Sequence, residues 1–256
     1  MEKENIIRVK NLSIGYEGKV IMRDLSFDIP KGDIFIIMGG SGCGKSTLLR
    51  TLTGLIPAQA GQIFIQNIDF INARKKEKLE IMKHSGILYQ SGALFSSMTL
   101  AENVALPLQQ YTKYSASKIS QIVSFKLALV GLSGYEEYYP SEISGGMRKR
   151  AGLARALALD PEIVYFDEPS AGLDPVSSKN LDDLILEINK TLGTTIIVVT
   201  HELSSIFAIG KNGIFLDKTI KTISAKGNPS ELLKNPPNEQ VFEFLTRGVK
   251  HEKRTK

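Results

Sequence analysis

Residues 39 to 46 read Gly-Gly-Ser-Gly-Cys-Gly-Lys-Ser, which fits G-x-x-x-x-G-K-[ST], with an apolar strand-like run before it and Leu48-Leu49 in a helical pattern after it. Average residue frequencies put a chance match in 256 residues at about one in a hundred, before that context is counted. Glycines let the backbone turn its amides toward an anion, and a helix starting at Lys45 adds the positive end of its dipole. Gly39, Gly40, Ser41, Gly42, Cys43, Gly44, Lys45, Ser46 and Thr47 are therefore candidate residues for binding the phosphates of a nucleotide. Lys45 has the reach for the β- and γ-phosphates, and the Ser46 hydroxyl suits Mg²⁺. Cys43 fills a variable position that a small residue satisfies. An adduct on it would block nucleotide binding, and Lys45 with the helix N-terminus would favour the thiolate that forms one.

Around this loop, short β-branched runs alternate with helical periodicity. Ile6–Leu12, Ile34–Met38, Ile63–Ile65, Ile87–Tyr89, Ile163–Phe166 and Thr195–Thr200 read as strands. Strands separated by helical patterns predict a mostly parallel sheet covered on both faces. From Ser97 to Leu159 the strand signals stop and helices are expected at Thr99–Leu108, Ser117–Val130 and Gly146–Leu159, as a helical insert. Pro229 and Pro236-Pro237 punctuate the C-terminal end, followed by a short amphipathic helix over Asn238–Leu245.

Composition narrows the class. With 42% hydrophobic and 23% charged residues the chain is globular. A membrane-spanning helix needs about 20 apolar residues, and Ile34–Met38 and Ile196–Val199 are strand-sized. The start, Met-Glu-Lys-Glu-Asn, lacks an apolar stretch behind it and predicts a cytosolic location. One cysteine excludes an intrachain disulfide and a cysteine-rich zinc site, and three histidines make an all-histidine metal site a poor expectation. The net charge of +5 would suggest nucleic acid, but Arg247, Lys250, Lys253, Arg254 and Lys256 less Glu252 place +4 of it in the last ten residues. The excess is a tail, either solvated or able to meet anionic headgroups at about 1 kcal/mol per basic residue.

A second acidic element, Ile163-Val164-Tyr165-Phe166-Asp167-Glu168, is a buried-type strand ending in two carboxylates. In an open α/β sheet ligands sit at the carboxyl ends of the strands, which would bring Asp167 to magnesium and Glu168 to the attacking water.

Ile143-Ser144-Gly145-Gly146-Met147-Arg148-Lys149-Arg150, about twenty residues before that acidic pair, resembles the signature motif of ATP-binding cassette (ABC) ATPases. Tyr16 matches the adenine-stacking aromatic, Gln90 the Q-loop, Ala171-Gly172-Leu173-Asp174 the D-loop and His201 the H-switch, in order, over roughly Ile6 to Leu245. The resemblance implies a P-loop NTPase of ABC type, with a mostly parallel α/β core, N-terminal antiparallel strands and an inserted helical subdomain. It implies a single domain over 1–245, the core at about 1–90 and 160–245 and the helical subdomain at about 91–159, with a basic tail over 246–256. Met147 stands where many members have glutamine. With Tyr89-Gln90-Ser91-Gly92-Ala93-Leu94-Phe95 and Asp167-Glu168-Pro169-Ser170-Ala171-Gly172-Leu173-Asp174-Pro175, it resembles the Mla-type ATPases, which energise phospholipid transport.

That resemblance implies a homodimer, a membrane permease dimer, an MCE-domain lipid-binding protein, no direct nucleic acid contact, and a peripheral place on the cytoplasmic face of the inner membrane. It implies Glu168 and His201 as catalytic residues and Ser46, Gln90 and Asp167 around Mg²⁺. Ser144, Gly145, Gly146 and Asp174 would act across the dimer seam, and Leu94, Phe95 and Met98 are apolar candidates for the permease contact. Amino-acid, metal and lipoprotein transporters share the core motifs and remain alternatives. A non-transport ABC ATPase acting on nucleic acid or ribosomes usually has two cassettes in one chain or a long coiled-coil insertion, and neither is present here.

Overall fold

A computed structural model describes residues 4–248. The chain opens with β1 (Asn5–Tyr16), β2 (Lys19–Pro30), β3 (Ile34–Gly39), α1 (Lys45–Leu52), β4 (Ala60–Ile65) and β5 (Ile68–Asp69). It continues with α2 (Lys75–Lys83), β6 (Ser85–Leu88), α3 (Leu100–Tyr111), α4 (Ala116–Leu129), α5 (Gly145–Ala156), β7 (Ile163–Asp167), α6 (Pro175–Leu192) and β8 (Thr195–Val199). It closes with α7 (Leu203–Ile209), β9 (Asn212–Asp217), β10 (Thr222–Lys226), α8 (Pro229–Lys234) and α9 (Glu239–Leu245). Two compact units result, one from the described residues of Met1–Arg74 and Val198–Lys256, the other from Lys75–Ile197.

In the first unit an antiparallel sheet runs β2-β1-β4-β5. Leu25, Phe27 and Ile29 of β2 are buried while Asp28 is exposed, the alternation expected of a sheet with one wet face. The β4-β5 hairpin turns through Gln66 and Asn67, both at positive φ (50° and 64°), the backbone that matches the strand twist in two-residue turns. β3 lies beside β9 in parallel register, Phe35 opposite Asn212 and Gly39 opposite Leu216, and β10 pairs antiparallel with β9. Every residue of β3 is buried, as strands covered on both faces are. In α9, Phe244 meets Phe215 of β9 edge to face, with ring centroids 5.1 Å apart.

The second unit carries β6, β7 and the first three residues of β8 in the order β8-β7-β6, with β6 and β7 parallel from Ser85 opposite Ile163 to Leu88 opposite Phe166. α3 packs on α4 and α5, and α5 packs on β6. Gly86 permits that last contact, since a Cβ built there would lie 2.2 Å from the Ala156 carbonyl oxygen. α3 begins with a capping box in which the Thr99 hydroxyl accepts from the Glu102 amide and Glu102 accepts from the Thr99 amide.

The expected helices over 99–108, 117–130, 146–159 and 238–245 correspond to α3, α4, α5 and α9, with two departures. α3 continues through Pro107 to Tyr111, and α5 ends at Ala156, short of Leu159. Ile87–Tyr89 is β6 begun too late, because Gly86 carries no strand signal. β2, β5, β9, β10 and α6 are not individually placed by periodicity. Of the basic tail, Arg247 is described, while Lys250, Glu252, Lys253, Arg254 and Lys256 lie outside the described residues. Among the described residues no helix is long and apolar enough to cross a membrane.

The Gly86 contact is testable. Gly86→Val pushes α5 off β6 and is expected to cost about 1–3 kcal/mol, read as a lower urea midpoint; an unchanged midpoint would contradict the packing.

Candidate active site

The first unit carries Tyr16, residues 39–47 and His201. At the end of β3 the chain enters the loop through Gly39, at φ 149°, where a Cβ would sit 2.5 Å from the Leu216 carbonyl oxygen and 2.7 Å from Cys43 Sγ. Gly42 and Gly44 also hold positive φ, and Gly44 precedes α1 as its N-cap without a side-chain cap bond, so the positive end of the α1 dipole faces the loop. Lys45 is buried and bends back over the loop, its Nζ donating to the carbonyls of Gly39 (3.0 Å) and Gly40 (3.2 Å). This fold of the side chain holds the ammonium at the mouth of the amide cradle. Tyr16 ends β1 with its ring half exposed, and Gln59 Nε2 donates to its carbonyl at 3.0 Å. His201 follows buried Thr200, whose hydroxyl accepts from the Glu202 amide at 3.1 Å.

Cys43 departs from expectation. Burial pushes its thiol above the ordinary value despite the opposing influence of Lys45 and nearby amides. Desolvation of the thiolate outweighs the electropositive surroundings.

The second unit carries Gln90, the signature segment, Asp167, Glu168 and Asp174. Gln90 is exposed in a turn closed by the Gly92 amide donating to the Tyr89 carbonyl at 2.8 Å. Asp167 ends the wholly buried β7. Glu168 follows at φ 50°, a left-handed conformation that costs a non-glycine residue roughly 1–2 kcal/mol. Ser144 caps α5 by accepting from the Met147 amide at 3.2 Å, which directs the Gly145 and Gly146 amides out of the helix start. The starts of α5 and α6 lie together, since a Cβ at Gly146 would contact Ser177 at 3.8 Å and Leu173 at 3.9 Å. Asp174 caps α6, accepting from Val176 and Ser177 amides at 3.0 Å each, and its bonds with Ser177 hold its carboxyl below the usual range.

Three side chains to which the sequence assigns no role organise this unit. Lys149 of α5 is buried and donates to the carbonyls of Pro169 (2.6 Å) and Ala171. Asn103 is fully buried and ties down the segment before α3: its Oδ1 accepts from the Phe95 amide at 2.8 Å, and its Nδ2 donates to the carbonyls of Phe95, Met98 and Thr99. Arg155 donates to the carbonyls of Gly92 and Ala93 and lies 6.0 Å from the Phe95 ring centroid. Phe95 is thereby held half exposed at the edge of a cavity of about 550 Å³ lined also by Tyr89, Leu106, Tyr111 and Arg155. Leu94 and Met98 are only partly exposed and do not line it.

A glycine cradle at a buried parallel strand, with acids at the end of another, defines a P-loop nucleotide cassette. The ABC transporter family model matches residues 22–171, and the chain belongs to that family. It is 39% identical over 242 residues, 94% of this chain and 90% of the relative, to the intermembrane phospholipid transport system ATP-binding protein MlaF of Haemophilus influenzae. It is 44% identical over 240 residues to the probable ribonucleotide transport ATP-binding protein mkl of Mycobacterium leprae, covering 93% of this chain and 68% of that one. The chain thus spans about two thirds of the length of the mycobacterial relatives it matches. Among solved structures, cbiO1 from Clostridium perfringens, part of the transporter complex cbiONQ, superposes with a TM-score of 0.83 at 26% identity, over 96% of this chain and 97% of that one. The dimeric, post-hydrolysis cassette MJ0796 bound to ADP and Pi gives 0.78 at 27% identity, over 87% and 98%.

The buried Cys43 generates a prediction. Alkylation of the native chain at pH 7 should run at least about tenfold slower than after denaturation and accelerate as pH rises past the ordinary thiol range; a native rate equal to the denatured one would contradict the burial.

Proposed function

We propose that this chain is the ATP-hydrolysing subunit of an ABC transporter that moves phospholipid, acting as a homodimer at the cytoplasmic face of the inner membrane under a permease and an MCE-domain partner. The observation that carries the reading is the match to MlaF over 94% of this chain and 90% of that protein, joined to the Gly92-Ala93-Leu94-Phe95 block and Met147. Residues 1–245 are read as one cassette.

In this reading Tyr16 stacks on adenine, and the amides of 39–47 with Lys45 hold the phosphates. Ser46, Gln90 and Asp167 offer hard oxygen donors that suit Mg²⁺. A bound ion there would supply charge neutralisation for phosphoryl transfer. Glu168 takes the proton of the attacking water, and His201 orients the water or the γ-phosphate. Ser144, Gly145, Gly146 and Asp174 complete the site of the partner copy, so that ATP favours a closed dimer and its cleavage releases it. The Phe95 cavity receives an apolar segment of the permease.

Glu168→Gln is expected to bind ATP while hydrolysis falls about 10²- to 10⁴-fold, and near-normal turnover would remove Glu168 from the reaction. Lys45→Ala should lose ATP affinity by at least about tenfold in a binding titration; retained affinity would sink the phosphate-loop role. Phe95→Asp should abolish co-purification with the membrane subunit and spare ATP binding. The name of the mkl relatives favours ribonucleotide cargo as a second reading. At saturating ATP, hydrolysis by the purified complex that is stimulated by phospholipid and not by added non-adenine ribonucleoside monophosphates supports the first; the reverse supports the second.

A further inference from the structure

Lys149 is a cation with only 6% of its surface exposed, on the buried face of α5 that it shares with Gly152 and Leu153 at i+3 and i+4, where a helix ordinarily buries apolar groups. Its ammonium donates to the carbonyls of Pro169 and Ala171, on the turn that leaves Glu168. The same turn is closed by the Ala171 amide donating to the Glu168 carbonyl at 3.2 Å, and by the Leu173 amide donating to the Ser170 carbonyl at 3.1 Å. Glu168 itself sits in the left-handed region, a conformation that persists only where its surroundings over-determine it. A neutral side chain at 149 would leave two inward carbonyls without their charged donor.

We infer that Lys149 is a positioning residue for hydrolysis, bracing the turn after Glu168 against α5 so that the Glu168 carboxylate is held at its attack position. The Glu168 carboxylate also acts electrostatically on the Lys149 ammonium, against a burial that disfavours its charge. Because α5 begins at Ser144-Gly145-Gly146 and the braced turn runs into Asp174, one ammonium connects the general base of a chain with the segments that chain lends to its partner. The inference rests on the proposed role of Glu168.

The test is a double-mutant cycle on the full-length chain, reading single-turnover ATP hydrolysis and ATP affinity for wild type, K149M, E168Q and K149M/E168Q. Lys149→Met is expected to slow hydrolysis about 100-fold, the usual cost of a small misplacement of a catalytic group, with ATP affinity unchanged. In the Glu168→Gln background the same change should slow the residual reaction no further, because the group it positions is gone. An equal slowing in both backgrounds, or a wild-type rate in K149M, overturns the positioning role. A wild-type rate in E168Q alone overturns the general-base reading, and this inference falls with it. Should K149M fail to fold, Lys149→Gln, which keeps an N–H donor, replaces it in the cycle: slowing confined to the Glu168 background supports the positioning role, and equal slowing in both backgrounds overturns it.

Discussion

The room for a single methyl group decides the architecture of the nucleotide loop. At Gly39 a Cβ would collide with the Leu216 carbonyl oxygen of the neighbouring parallel strand, and φ there is closed to ordinary side chains. β3 and β9 therefore run in contact to the point where the chain turns out of the sheet. The amides of the loop and of α1 converge there, with Lys45 folded back across them. A buried strand that stops abruptly supplies the rigidity, and the glycines supply the turn. An anion with several negative oxygens is the ligand such a cradle suits.

The second unit solves a related problem with charged and amide side chains in place of glycine. Three polar groups that would read as surface residues are turned inward onto carbonyls: Asn103 under the Phe95 segment, Arg155 onto Gly92 and Ala93, and Lys149 onto the turn after Glu168. Each fixes a loop that has no strand or helix hydrogen bonds of its own, and buried polar groups that are satisfied in this way specify one arrangement of the loop. The surfaces proposed for the permease and for the water are thus each held by side chain to backbone bonds.

These roles explain what is legible in the sequence. The loop over 39–46, the acids at the end of β7 and the signature at α5 are fixed by local chemistry, so their residue types appear in order along the chain. The long helices over the insert announce themselves by periodicity and caps. α6 is marked by Asp174 and Pro175, an N-cap and first-turn proline, and by Gly193 after its end, a signal that the D-loop resemblance overshadows. β2, β9 and β10 lack a strict apolar alternation or an all-apolar run over their whole length, and although β2 follows β1 and β10 follows β9 in hairpins, the β3 partner of β9 is distant in sequence. Lys149 and Asn103 are illegible because a lysine or asparagine on a helix is ordinarily solvated; only the fold shows which carbonyls need them. Cys43 illustrates a competition that sequence states without resolving, since the burial that raises its pKa comes from the packing around the loop.

At the centre of the proposed mechanism, the phosphate loop of one chain and the signature segment of another hold the same nucleotide. A chain carrying Ser41→Cys and Ser144→Cys with Cys43→Ser, treated with a short bifunctional thiol reagent in the presence of ATP and Mg²⁺, tests it directly on a denaturing gel. The account predicts a covalent dimer that forms with nucleotide and is lost without it. A link formed within single chains, with no dimer band, would contradict it.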